Sequence, residues 1–263
     1  MNGAAGSQMV EVGELAARQL KDYDSHQPGM LFAEGCVLDV SQGYELQNAV
    51  AKLRFQRGER MIGYKVGCTS SAIQEQLKIT HRVRGFLFDT EHYESGVALS
   101  RQSFDNLAIE GELAIELSRE PREEDFTVHS LPACIARVFP VIELHNHVMR
   151  GQQASAGELI ANNAIHAGII LGPKNSLPNN NQVTDLKLIY DKEIIDSWFD
   201  KKWPHDMLSE IEWFVLEQAK RNNILKKGNL ILTGAYGPPI PIKNKKLIEV
   251  TSSLFGNVSA IFK

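Results

Sequence analysis

Apolar and polar positions repeat with two different periods along this chain. Over residues 9–26, Val10, Leu15, Ala16 and Leu20 recur at helical spacing with Glu and Lys elsewhere, which predicts an amphipathic helix. A second helix is predicted over roughly 42–57, with Leu46, Ala49, Val50 and Leu53 as its apolar positions and Ser41 as its cap. From Arg60 the pattern turns to short apolar runs rich in β-branched residues. Strands are predicted at Met61–Val66, Gly85–Phe88 and Leu107–Leu117, around Glu143, and at 164–171, 186–190, 193–198, 228–233 and 247–250. Helices are predicted at about 71–76, 131–138 and 207–221, and the stretch Asn175–Gln182, with its four asparagines, reads as a turn region. The two leading helices predict a small N-terminal lobe over 1–59, followed by a strand-rich domain over 60–263. No regular strand–helix alternation is present, so the fold class is α+β rather than doubly wound.

Composition narrows the setting. Apolar residues make up 43% and charged residues 23%, the balance of an ordinary globular protein. The net charge is −4, and the densest basic spots, Lys226-Lys227 and Lys243, Lys245 and Lys246, flank turn residues. That argues against a nucleic-acid partner. No apolar run approaches the length of a membrane span. Residues 1–8 lack the basic start and long apolar core of a signal peptide. Cys36, Cys68 and Cys134 are odd in number and widely spaced, which fits a reducing compartment. A cytoplasmic protein without nucleic-acid or membrane partners is expected.

Three carboxylates stand out against this background. Glu110 and Glu112 lie in the apolar run Ile109-Glu110-Gly111-Glu112-Leu113, and Glu143 lies in Pro140-Val141-Ile142-Glu143-Leu144. Residues two apart on a strand share a face, so Glu110 and Glu112 stand side by side. Paired carboxylates in an apolar setting repel and lose hydration, so something must compensate them. A hard divalent cation with oxygen ligands does this most simply. A solvent-facing or salt-bridged glutamate is the plainer alternative. Glu143, His145 and His147 also alternate, and on one strand they would form a site suited to zinc or iron.

Four blocks in order carry a resemblance: Gly63-Tyr64-Lys65-Val66-Gly67-Cys68-Thr69-Ser70, the Glu110-Gly111-Glu112 strand, Pro140-Val141-Ile142-Glu143, and the run from Gly228 to Pro238. Together, from about Asp39 to the C-terminus, they resemble the 2-keto-4-pentenoate hydratase and 4-oxalocrotonate decarboxylase family of the fumarylacetoacetate hydrolase superfamily. The resemblance implies a mixed β roll with an N-terminal helical extension, and a homo-oligomer. It implies that Glu110, Glu112 and Glu143 hold Mg²⁺ or Mn²⁺ and that Lys65 is catalytic in the same pocket; beside it, Ser70 is a candidate to hydrogen-bond substrate, and the backbone at Thr233 and Gly234 can approach a ligand closely. It implies a lyase that hydrates a 2-hydroxy-2,4-dienoate or 2-keto-4-pentenoate-like 2-oxo acid. Decarboxylation of a 4-oxalocrotonate-like acid, or a repurposed member without catalysis, are the alternatives.

The chain departs from the family pattern at three places. Val83 stands where family hydratases commonly carry aspartate, Asn146-His147-Val148 replaces an Asp-Ser-Arg-like run, and Asn162-Asn163-Ala164 replaces Asp-Asn-Ala. An apolar residue is usual at the position of His145, so His145 is read as pocket wall and His147 as a nearby hydrogen-bonding group. His166, in an apolar run, is read as a satisfied core histidine. Ser70 and Thr69 also suit the cap of the next helix, and Cys68 lacks a partner base and is read as packing. Burial and a neighbouring cation are both expected to lower the pKa of Lys65.

Overall fold

Three helices precede the first strand: α1 (Gly3–Asp24), the single turn α2 (Met30–Ala33) and α3 (Val40–Gln56). This architecture is taken from a computed structural model, which describes residues 3–126, 131–175, 177–221, 223–235 and 237–263. The side chain of Val10, and Tyr236 in the fourth sequence block, lie outside the described residues. The cap of α3 is Asp39, not the predicted Ser41. Asp39 accepts from the Gln42 N–H at 2.9 Å, and the Gln42 side chain accepts from the Asp39 N–H at 3.0 Å. This reciprocal box satisfies two donors that a helix start leaves free.

The chain continues through β1 (Met61–Gly67), α4 (Ser71–Gln76), β2 (Val83–Phe88), β3 (His92–Glu94), β4 (Val97–Leu99), β5 (Leu107–Leu117) and β6 (Ile135–Asn146). Then come α5 (Ala156–Ala161), β7 (His166–Leu171), β8 (Gln182–Tyr190), β9 (Glu193–Trp203) and α6 (His205–Lys220). The last strands are β10 (Leu230–Leu232), β11 (Ile240–Pro241), β12 (Leu247–Ser252) and β13 (Gly256–Phe262). The helix expected over 131–138 is not formed. Ile135 onward is strand, held by pairs such as Arg137 with Glu116 and Val138 with Ile115. Long-range pairing overrides a local helical spacing here.

The larger sheet runs β2-β1-β10-β5-β6-β7-β3, with β11 added on β5, and the smaller runs β4-β13-β12-β8-β9. The two sheets share one core, in which Ile109, Leu113 and Ile142 meet Leu186, Val250 and Phe262. Each such side chain, fully buried, contributes roughly 1.5–3 kcal/mol. Strand alternation sends the intervening residues of β5 and β6 to the opposite face of the large sheet. There Ala114, Val141 and Leu232 form a second apolar cluster, and the glutamates stand beside it.

The N-terminal helices are tied into the roll rather than loosely appended. Gln47 of α3, buried, donates to the carbonyls of Arg84 at 2.9 Å and Ile160 at 3.0 Å. Arg54 donates to Glu59 at 2.8 Å and Glu91 at 2.7 Å, and its guanidinium lies 3.7 Å from the Phe88 ring centroid.

Candidate functional site

Strand register assembles the site. β5 and β6 pair antiparallel with Glu110 directly opposite Glu143, and Glu112 opposite Val141. Opposed residues share a face, so all three glutamates project together. Glu112 is 2% exposed and Glu143 0%. On the other side of β6, Glu143 pairs with Ile169 and Leu144 with Gly168, and then the register slips so that His145 stands opposite His166. One extra residue on β7, Ala167, makes this bulge. It re-aims His166 onto the carboxylate face, as bulges do beside functional sites.

Glu143 uses its two oxygens differently. Its Oε1 lies 2.7 Å from Nδ1 of His166 and 3.1 Å from Nζ of Lys65. Its Oε2 is buried without a hydrogen-bond partner and lies 3.6 Å from Nε2 of His145. That same Nε2 is 2.9 Å from Oε2 of Glu110, yet neither ring nitrogen of His145 makes a hydrogen bond among the described residues. Glu110, Glu143 and His145 each offer one ligand atom, all within 4.8 Å of one another. Glu112 stands beside this group and accepts the Gly234 N–H at 2.9 Å through Oε2.

Burial raises the Glu112 carboxyl well above the usual carboxylate range, and the charges of Glu143 and Glu110 push it further. Burial acts the same way on Glu143, but Lys65 first and then the two histidines outweigh it and hold that carboxyl well below the usual range. Lys65 corrects the sequence expectation. Burial does lower it, but Glu143, Glu110 and Glu112 more than offset this, and the ammonium pKa is raised. Lys65 therefore stays charged among the carboxylates.

Two glycines make room for this packing. A Cβ at Gly85, the β2 partner of Lys65, would come within 2.9 Å of Lys65 Cγ and 2.7 Å of the Asn163 carbonyl oxygen. Gly234 has φ +84°, and a Cβ there would meet Thr69 Cγ2 at 2.7 Å. Lys65 also donates to the Ala164 carbonyl at 3.2 Å. Residues Asn163, Ala164 and Ile165 all have positive φ, a sequence of conformations that non-glycine residues rarely adopt. The Asn163 amide holds this turn against β2 by pairing with both the N–H and the carbonyl of Phe86, at 2.7 and 2.9 Å.

No family model matches the chain. The 2-keto-4-pentenoate hydratase of Paraburkholderia phymatum is 27% identical over 254 residues, covering 95% of this chain and 97% of the relative. The chain is a homologue of the 2-keto-4-pentenoate hydratases. The fold agrees. A 4-oxalocrotonate decarboxylase from Pseudomonas putida G7, solved with magnesium and adipate, superposes with a TM-score of 0.83 at 21% identity, covering 97% of this chain and 98% of that one. A fumarylpyruvate hydrolase from Pseudomonas aeruginosa, in complex with Mn²⁺ and pyruvate, superposes with a TM-score of 0.57 at 15% identity, covering 77% and 89%. The α+β fold of the fumarylacetoacetate hydrolase type is thus the fold of this hydratase homologue.

The donor set fits a divalent cation. A buried carboxylate oxygen and a buried imidazole nitrogen without hydrogen bonds converge with a second carboxylate, and such orphaned groups call for a partner. The remaining sequence candidates fall around this centre. Ser70 is exposed and caps α4, accepting from the Ile73 N–H at 3.4 Å. Thr233 is buried and donates its hydroxyl to the Leu113 carbonyl at 3.2 Å, while Gly234 orients Glu112. Burial pushes the Cys68 thiol up to about 11, which disfavours the thiolate and fits a packing role. Val83 is fully buried among Leu77, Ile79 and Ile160, so an apolar contact occupies that place. His147 lies just past the end of β6. His166 is the partner that sequence reasoning assigned to the core, and only the β7 bulge brings it to the site.

Proposed function

We propose that this protein is a metal-dependent hydratase adding water to a 2-hydroxy-2,4-dienoate or 2-keto-4-pentenoate-like acid. Similarity to a hydratase over 95% of the chain carries the reading, and the buried carboxylate face supports it. Glu110, Glu112 and Glu143 would hold Mg²⁺ or Mn²⁺, which when bound supplies Lewis-acid stabilisation of charge on the substrate's 2-oxo oxygen.

The chain's own groups then divide the work. The ammonium of Lys65 binds substrate carboxylate and gives a proton as the dienol becomes the keto tautomer. His166 and Lys65 fix Glu143 through one oxygen and leave the other facing His145. The apolar neighbours Val141 and Leu232 limit bulk water, which strengthens each of these interactions. Water addition follows at the double bond made electrophilic by the keto group. Screening 2-hydroxydienoates for loss of diene absorbance, with Mg²⁺ or Mn²⁺ and then with chelator, tests the reading. Metal-dependent loss is expected, and no loss with any acid would refute it.

Decarboxylation of a 4-oxalocrotonate-like acid is the second reading, and Val83 favours it. A buried valine supplies no acid–base carboxylate there, and loss of CO₂ needs fewer such groups than hydration. None of the three cysteines is in a disulfide among the described residues, which suits a cytoplasmic setting. No helix among the described residues is long and apolar enough to cross a membrane. Exposed Val183, Ile194 and Phe199 on β8 and β9 suit contact between copies in a homo-oligomer. Ser70, Thr233 and Gly234 remain the proposed substrate-side residues, through main chain at the last two.

A further inference from the structure

The two histidines on the carboxylate face have different surroundings. Nδ1 of His166 makes a 2.7 Å hydrogen bond to Oε1 of Glu143 and so orients that carboxylate, while its buried Nε2 makes no hydrogen bond among the described residues. His145, 0% exposed, makes no hydrogen bond at either nitrogen among the described residues. Its Nε2 nevertheless sits 2.9 Å from Glu110 Oε2 and 3.6 Å from Glu143 Oε2. A nitrogen that approaches two carboxylate oxygens closely without hydrogen-bond alignment has the arrangement of ligands converging on a common point. Glu112 stands beside this compact donor group, and its Oε2 accepts the Gly234 N–H.

We infer that His145 is itself a ligand of the cation, which makes the centre a mixed nitrogen–oxygen site that selects Mn²⁺, Fe²⁺ or Zn²⁺ over Mg²⁺. Mg²⁺ takes oxygen donors and dehydrates reluctantly, whereas imidazole suits the first-row transition metals. Strand geometry supplies the nitrogen: His145 is two residues beyond Glu143 on β6, so it shares that face. His145 acts here within the metal-dependent reading proposed above, and its role does not depend on which acid is turned over.

The test is nitrogen coupling in the electron spin-echo envelope modulation of Mn²⁺-loaded protein, paired with equilibrium competition between Mn²⁺ and Mg²⁺. Wild type and His166→Gln are expected to show strong ¹⁴N modulation, and His145→Leu to lose it. His145→Leu is also expected to weaken Mn²⁺ binding about 10–100-fold, the scale on which metal-site partners act, with Mg²⁺ binding nearly unchanged. Leucine is chosen because it fills a similar volume without offering a ligand nitrogen, and circular dichroism checks its fold. If that variant does not fold, ¹⁴N modulation in His166→Gln supports the inference. Absence of the modulation in wild type, its persistence in folded His145→Leu, or failure to bind Mn²⁺ overturns it. Modulation as expected without turnover of any 2-oxo acid would sink the hydratase reading and leave His145 a ligand.

Discussion

Nζ of Lys65 lies 3.1 Å from Oε1 of Glu143, with both side chains almost wholly buried. This ion pair is the positive counterweight within a group of three carboxylates. Removing one partner of a buried pair leaves an uncompensated charge and costs about 3–5 kcal/mol.

Lys65→Met is therefore expected to lose turnover by about 10²–10⁴-fold, the usual contribution of a positioned proton donor. Its stability falls too, and divalent cation offsets much of that fall by supplying positive charge. Steady-state rates and thermal melts, with and without Mn²⁺, check both. A variant with wild-type rate on a confirmed substrate would reduce Lys65 to a structural role.

Cation binding should be visible as stability. A ligand that binds only the folded protein adds about 2.7 kcal/mol at a hundred times its dissociation constant. Wild type is expected to melt higher as Mn²⁺ rises, and Glu110→Gln and Glu143→Gln to show little or no shift. An undiminished shift in both variants would place the cation elsewhere.

A separate test concerns the junction between α3 and the roll. Burial raises the Glu59 carboxyl, but the hydrogen bonds of Arg54, Thr90 and Arg57 outweigh it and lower it below its ordinary value of 4.5. With the folded pKa below the unfolded one, the contribution is fully present above the ordinary value and is lost as pH falls through the lowered one. Glu59→Gln should thus be less stable than wild type at pH 7, with the gap closing below about pH 4, near the model-peptide glutamate value. Urea melts across that range decide, and a gap constant with pH would contradict the account.

Part of this architecture is written in local pattern. Period-two alternation placed Glu110 and Glu112 on one face of a strand spanning Leu107–Leu117, which is the observed β5. It could not show that Glu143 pairs directly with Glu110, because register belongs to two strands at once. His166 was out of reach for the same reason, since one bulged residue on β7 decides its direction. The stretch 131–138 has helix-compatible spacing, and only its pairing with β5 makes its second half, from Ile135, strand. By contrast, Val258, Ala260 and Phe262 alternate inward along β13. That alternation is legible in the sequence, although β13 is not among the expected strands. The Asp39–Gln42 box was equally present in the sequence, two residues before the predicted cap.

The central claim is hydration at this centre, and paired measurement of CO₂ release and diene loss tests it most directly. Purified protein with Mn²⁺ or Mg²⁺ is given 2-hydroxydienoates and, separately, an oxalocrotonate-like acid. Diene absorbance should fall with the cation present and stop with chelator, without CO₂ appearing. Stoichiometric CO₂ would contradict hydration and establish the decarboxylase reading in its place.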